Sequence, residues 1–264
     1  MQSELRQDIV SGDWIVTAPG RAKRPLQQIA KVPKREKVSK KHCPFEDPQK
    51  SGHKSILIYP NDHRWAVQIV ENKYPAVVHK DTCGTLSKDG PFSIFPGVGH
   101  HDVIITRDHN KNFVHLSEEG ANLVFQAFRD RYLMLYNDEC ISYVSIFHNW
   151  GPAAGASIYH PHYQLIAIPV LPPDVSHSLE GSHRYFRQHK HCVHCVMIDW
   201  EKKEKKRVIF ENDGAIAFAP FVSRNPFEVR AFPKKHLPYF ENSYDNEIAS
   251  VVEALRAALK SFEK

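Results

Sequence analysis

The chain predicts an α+β fold built as two tandem copies of one sheet-and-helix module, the second copy stopping short. Three observations carry this. A Cys-x-x-Glu element, Cys43 to Glu46, returns as Cys-x-x-Cys at Cys192 to Cys195. A strand followed by a histidine recurs, first Asp102 to Thr106 with His109, then Phe227 to Phe232 with His236. Each is followed by an amphipathic helix opened by a serine, Ser117 and then Ser243, a residue that satisfies the orphan N–H groups of a helix start. The register is tight: Asn137 lies 28 residues after His109, and Lys264 lies 28 after His236. The second copy is therefore expected to lack its last strands. The expected organisation is a first module over 1–172, a connector over 173–185 and a second module over 186–264.

Size and composition suit this plan. At 264 residues and 42% hydrophobic, the chain can bury one large core or two modest ones. The net charge of +5 suits a polyphosphate substrate but does not demand one, and no nucleic-acid partner is expected. No apolar run approaches the roughly 20 residues of a membrane helix, so no membrane role is expected. Five cysteines beside 17 histidines argue against a disulfide framework and for metal binding in a reducing cytoplasm.

From the N-terminus, a Ser-Gly-Asp turn leads into a short strand, Trp14 to Thr17, and then a basic turn, Gly20 to Pro25. Residues 31–41 are Lys-rich and read as an exposed loop. Residues 64–78 hold an alternating strand that ends at Asn72, Lys73, Tyr74 and Pro75, most simply a turn. His100 to His109 is a strand closed by a histidine. In the helix after Ser117, Glu118 and Glu119 favour the helix dipole, and Leu123, Val124, Ala127, Phe128 and Leu135 form its core stripe. Strand Ser142 to His148 follows. In the second copy, Ile248, Val251, Val252, Leu255, Leu259 and Phe262 make the corresponding stripe.

The chemistry concentrates between Asn149 and Pro169, NWGPAAGASIYHPHYQLIAIP. Gly151 and Gly155, with Ala153, Ala154, Ala156 and Ser157, form a loop of little bulk whose N–H groups can approach a phosphate. His160 to Ile168 reads as a strand, and its alternation sets His160, His162 and Gln164 on one face. Imidazoles and an amide beside a phosphate-sized loop point to phosphoryl or nucleotidyl transfer.

Asn149, Gly151, Gly155, Ser157, His160, Pro161, His162 and Gln164 match Asn-x-Gly-x-x-x-Gly-x-Ser-x-x-His-Pro-His-x-Gln. This pattern resembles the histidine triad superfamily, specifically its transferase branch, the galactose-1-phosphate uridylyltransferases and their relatives. The resemblance implies antiparallel sheets with packed helices. It also implies double displacement: His162 attacks the α-phosphorus of a nucleoside-diphosphate sugar, a sugar 1-phosphate leaves, and a second phosphate removes the nucleotide. Asn149, Gly155, Ala156, Ser157 and Gln164 would contact the phosphoryl group, and Asn72 and Lys73 the nucleoside. Ala18 to Pro25, APGRAKRP, looks like the family's N-terminal signature, which makes Arg21 and Arg24 phosphate contacts across a homodimer interface. Zinc is implied at Cys43, Glu46, His109 and His160, with Glu46 standing where family members commonly carry a second cysteine and His42 an adjacent alternative. Cys192, Cys195 and His236 imply a second, weaker zinc site. Two other activities fit the same motif: a phosphorylase of nucleoside-diphosphate sugars or dinucleoside polyphosphates, or a triad hydrolase. A catalytically weak nucleotide- or metal-binding protein is the remaining alternative.

Overall fold

The structure is a computed structural model that describes residues 3–18, 37–60 and 64–263. Arg21 and Arg24 lie outside these residues. Two compact units are formed. One spans Val32–Leu171, and the other joins the N-terminal hairpin to Pro172–Lys264.

The first unit contains strands β3 (Ser55–Tyr59), β4 (Val67–Glu71), β7 (His100–Thr106), β8 (Tyr143–Phe147) and β9 (His162–Ile168). They form one antiparallel sheet in the order β3-β4-β7-β9-β8. A small hairpin, β5 (Ser87–Asp89) with β6 (Phe92–Ile94), lies between β4 and β7 in sequence. Helix α1, Glu118–Leu135, starts as expected: the Ser117 hydroxyl accepts from the Gly120 N–H at 3.1 Å. β4 is not an alternating strand, because Val67, Gln68, Ile69 and Val70 are all buried. A central strand covered on both faces has no polar side to show.

Register decides what each face carries. Ile104 pairs with Tyr163, Ile105 with His162 and Val103 with Gln164. Residues directly opposite in a ladder share a face. Tyr163 therefore points toward α1, where its ring meets Phe128 edge-on at 5.3 Å. His162 and Gln164 point the other way. On the α1 face, Arg131 donates through Nε to the Asp102 carboxylate at 2.7 Å, with both side chains buried. Burial raises the Asp102 pKa in spite of Arg131. Arg131→Leu should cost about 3–5 kcal/mol by stranding that carboxylate. The loss should shrink as pH falls, since protonation removes the buried charge. Urea unfolding at pH 7 and pH 5 checks both expectations.

The second unit holds hairpin β1 (Glu4–Gln7) and β2 (Trp14–Thr17), helices α2 (Pro173–His189), α3 (Val193–Glu204) and α4 (Asp245–Lys260), and strands β10 (Val208–Glu211), β11 (Ala215–Phe218) and β12 (Arg230–Pro233). β10-β11-β12 is an antiparallel sheet, and α4 packs across all three strands. Ala215, Ala217, Ala254 and Ala258 form the dry seam between them.

Several expectations are corrected here. Residues 3–18 do not group with the first sheet: Arg6 donates to the Phe221 carbonyl at 2.9 Å, and Arg224 pairs with Asp13 at 2.6 Å. The expected connector is helical, opened by consecutive prolines that suit a first turn. Gly181 on α2 lies so close to the Val10 carbonyl that a Cβ would collide with it. The strand expected at Phe227 begins at Arg230, because Phe227 has a φ of +61°. α4 opens after Tyr244 rather than Ser243, with the Glu247 carboxylate accepting from the Tyr244 N–H at 2.9 Å. Cys83 and Cys140 form a disulfide, so a purely thiol reading of the cysteines is wrong at that pair. Among the described residues, no helix is long and apolar enough to cross a membrane.

Candidate functional site

The site grows from the face of the first sheet opposite α1. His162 is the first residue of β9 and only 8% exposed. Its Nδ1 lies 2.9 Å from the His160 carbonyl. A carbonyl only accepts, so Nδ1 carries the hydrogen and Nε2 keeps its lone pair. Burial lowers the His162 pKa and so favours the neutral, nucleophilic ring. Phe45 packs edge-on against this imidazole at 5.1 Å, and the His148 Nδ1–H donates to the His162 carbonyl at 2.7 Å. Neither Phe45 nor His148 was singled out from sequence; only proximity in the fold makes them visible.

His160 and His162 do not share a strand face. β9 begins at His162, and His160 sits just before it, fully buried. His160 instead meets Cys43, Glu46 and His109. Its Nδ1 stands 3.5 Å from the Cys43 sulfur and 3.5 Å from Glu46 Oε1. Glu46 Oε1 also lies 2.9 Å from His109 Nδ1, yet neither atom has a hydrogen-bond partner in that geometry. The opposite ring nitrogens face carbonyls: His160 Nε2 meets the Thr106 oxygen at 2.6 Å, and His109 Nε2 meets the Val38 oxygen at 2.8 Å. Both Nδ1 lone pairs therefore turn inward. Carbonyls that fix ring tautomers in this way are the usual outer support of metal-binding histidines.

Bonds of roughly 2.0–2.3 Å to a tetrahedral ion put donors ~3.3–3.8 Å apart, which these separations approach. The donor atoms of Cys43, His109 and His160 lie together, and Glu46 adds a carboxylate beside the two imidazoles; one sulfur and two imidazoles with a neighbouring carboxylate suit zinc. Burial pushes the His160 pKa down to about 4 and the Cys43 thiol up. The first keeps a lone pair ready for a cation, and the second is reversed once a cation arrives. His42 forms part of a short 3-10 turn, Lys40–His42, and is not in the cluster.

In the second unit, Cys192, Cys195 and His236 bring their donor atoms together, with Cys195 Sγ 3.2 Å from His236 Nδ1. His236 is exposed there, and the group has three donors among the described residues. A third cluster, His79, His100 and Asp138, went unnoticed in sequence. Arg131 Nη2 stands 3.3 Å from His100 Nδ1, so His100 Nε2 carries the hydrogen and donates to Asp138 at 3.0 Å. That nitrogen is committed to a hydrogen bond, not to a metal.

The small-residue loop closes on itself. Gly151 and Gly155 have φ of +78° and +80°, and a 3-10 turn, Pro152–Ala154, lies between them. The Gly155 and Ala156 N–H groups donate to the Pro152 and Gly151 carbonyls at 3.0 and 3.1 Å. They are spent inside the turn rather than offered to a phosphate, which leaves Ser157, just past the turn, as the hydroxyl of this segment. Asn149 stands two residues after β8, at the mouth of the loop. Lys73 Nζ reaches the Ser51 carbonyl at 3.3 Å. Asn72 Nδ2 lies 3.0 Å from His101 Nε2, which lies 3.0 Å from Gln164 Oε1. A polar row thus crosses the strands from His162 through Gln164 and His101 to Asn72.

A family model described as "Domain of unknown function (DUF4921)" matches residues 47–261. ADP-glucose phosphorylase of Arabidopsis thaliana is 31% identical over 99% of this chain and 74% of its own length. The galactose-1-phosphate uridylyltransferase of Thermotoga maritima is 26% identical over 96% of this chain and 74% of its own. The crystal structure of an Arabidopsis thaliana ADP-glucose phosphorylase with bound ADP-glucose matches 100% of this chain and 78% of its own with a TM-score of 0.83 at 29% identity. A uridylyltransferase structure matches 97% of this chain and 73% of its own with a TM-score of 0.69 at 27% identity. The motif, the sheet that carries it and these relatives agree: the chain belongs to the DUF4921 family, a galactose-1-phosphate uridylyltransferase-like group within the histidine triad superfamily.

Proposed function

We propose that this protein transfers a nucleoside monophosphate from a nucleoside-diphosphate sugar to a phosphate acceptor through a covalent intermediate on His162. The observation that carries the reading is the His162 hydrogen bond to the His160 carbonyl, which aims the lone pair from Nε2. Attack on the α-phosphorus forms an N–P bond as the bond to the β-phosphate oxygen breaks, and sugar 1-phosphate departs. Nδ1–H stays on the ring throughout, so the positive charge of the intermediate is shared with the carbonyl. An acceptor phosphate oxygen then displaces His162, and the lone pair returns to Nε2. Gln164 and Ser157 donate hydrogen bonds to the phosphoryl oxygens, and neither is an acid that protonates a leaving group or a base that activates water. Cys43, Glu46, His109 and His160 would hold zinc, which when bound stiffens the segment leading into β9 and adds no chemistry of its own. Asn149 and Lys73 stay in the proposed binding set.

With a sugar 1-phosphate as acceptor the reaction is a uridylyltransferase-like exchange. A second reading, phosphorolysis by inorganic phosphate, is favoured by the similarity to ADP-glucose phosphorylase over 99% of the chain. Intact-protein mass spectrometry after incubation with UDP-glucose or ADP-glucose identifies the nucleotide from the mass added. A chase with galactose 1-phosphate or inorganic phosphate then identifies the acceptor. No adduct from either sugar nucleotide would sink the reading and leave a binding protein.

Arg21 and Arg24 are proposed phosphate contacts reaching across a homodimer, since a guanidinium grips phosphate oxygens in pairs. Replacing both with Gln should raise KM for the sugar nucleotide about tenfold or more and leave Tm nearly unchanged. A collapse of Tm would make them structural. The thiols of the metal clusters fit a reducing cytoplasm, which is the proposed compartment; the Cys83–Cys140 disulfide pulls the other way.

A further inference from the structure

We propose that His101 is a positioning residue for Gln164, locking its carboxamide so that the NH2 end, not the carbonyl, faces the phosphoryl group. This rests on the transfer reading above and adds a residue to it. The chain of inference begins at a backbone atom. The Ala76 N–H lies 2.9 Å from His101 Nδ1. An amide N–H only donates, so Nδ1 accepts and the neutral ring carries its hydrogen on Nε2. Nε2 stands 3.0 Å from the Gln164 side chain. The atom facing an N–H must be the carboxamide oxygen, since the NH2 group only donates. With Oε1 turned to His101, the NH2 end of Gln164 is the end left to face a ligand.

The same logic sorts Asn72. Its Oδ1 accepts from the Tyr74 N–H at 2.9 Å, and its Nδ2 lies 3.0 Å from His101 Nε2. Two donors meet there, so the Asn72 NH2 finds no acceptor in His101 and is left for a ligand oxygen. His101 is placed for this by register. It stands two residues before Val103, the cross-strand partner of Gln164, and so is its diagonal neighbour on the same face. Asn72 follows β4 directly and ties its N–H to the His101 carbonyl at 2.9 Å. One histidine thus leaves two neutral carboxamides with N–H donors to offer. That arrangement recognises anionic oxygens without a proton to give away, which suits transfer to phosphate over transfer to water.

The test follows nucleotide adduct formation on rapid mixing with ADP-glucose and UDP-glucose. His101→Leu should slow it roughly 10- to 100-fold with little change in KM, because a wandering amide costs the transition state more than the ground state. His101→Gln, which keeps a donor near Nε2, should restore most of the rate. Gln164→Ala with His101→Leu should be no slower than Gln164→Ala alone, because one residue acts through the other. Metal content must stay at the wild-type level in each variant. An unchanged rate in His101→Leu, or a double variant that loses the product of both single effects, would overturn the assignment. A wild-type protein that forms no adduct would sink the transfer reading but not this one. In that case the Gln164 side-chain NH2 resonances, assigned by their loss in Gln164→Ala, decide it. They should move and exchange faster with solvent in His101→Leu, and unmoved resonances would refute the hydrogen bond.

Discussion

Replacing His162 with glycine should abolish the covalent nucleotide adduct and lower turnover roughly 10⁴-fold or more, the scale seen when a nucleophile is removed. Fold and metal should survive. The imidazole is a buried side chain on the sheet face opposite α1, and the ladder bonds of residue 162 run through the backbone. Deleting the ring leaves a hollow beside Phe45, and an added nucleoside phosphorimidazolide could fill it and discharge to acceptor. His160→Asn should behave in the opposite way. That ring reaches Cys43, Glu46 and the Thr106 carbonyl, so its loss should cost metal and stability first and activity only through them. Persistence of the adduct in the His162 variant would show that another group is the nucleophile.

How much of this was legible beforehand depends on distance along the chain. The His-Pro-His-x-Gln run, the Ser117 cap and the stripe of α1 are local features, and local chemistry sets them. The disulfide was not legible: Cys83 and Cys140 are 57 residues apart, and only the fold brings them within 5.0 Å between Cα atoms. His101 was hidden for the same reason, since nothing in His100 to His109 says which histidine faces Gln164; cross-strand register does. The face shared by His160 and His162 was misread because alternation was carried two residues past the start of the strand. The role expected of the Gly155 N–H failed on turn geometry. Gly151 and Gly155 were correctly read as a bulk-free loop, but a 3-10 turn consumes the donors that composition made to look available.

Removing the metal should have the other large effect. Cys43→Ala takes the one sulfur from a cluster whose remaining donors are two inward-facing imidazoles and a carboxylate. Zinc, measured by elemental analysis, should fall to the level of the second cluster alone, and Tm should drop by several degrees, in line with a structural site that contributes folding free energy outright. Cys192→Ala should remove the more exposed ion and disturb Tm less, because His236 is exposed and the group holds three donors. Glu46 makes the sharper test. Its Oε1 and His109 Nδ1 sit 2.9 Å apart without a hydrogen bond, which is costly for buried polar atoms unless something lies between them. If that something is zinc, Glu46→Cys should keep the metal and slow its removal by a chelator, since a thiolate binds this ion more softly than a carboxylate. Glu46→Gln should speed removal. If instead the four residues form only a hydrogen-bonded knot, Glu46→Cys would destabilise the protein and purified wild type would contain no zinc in this unit.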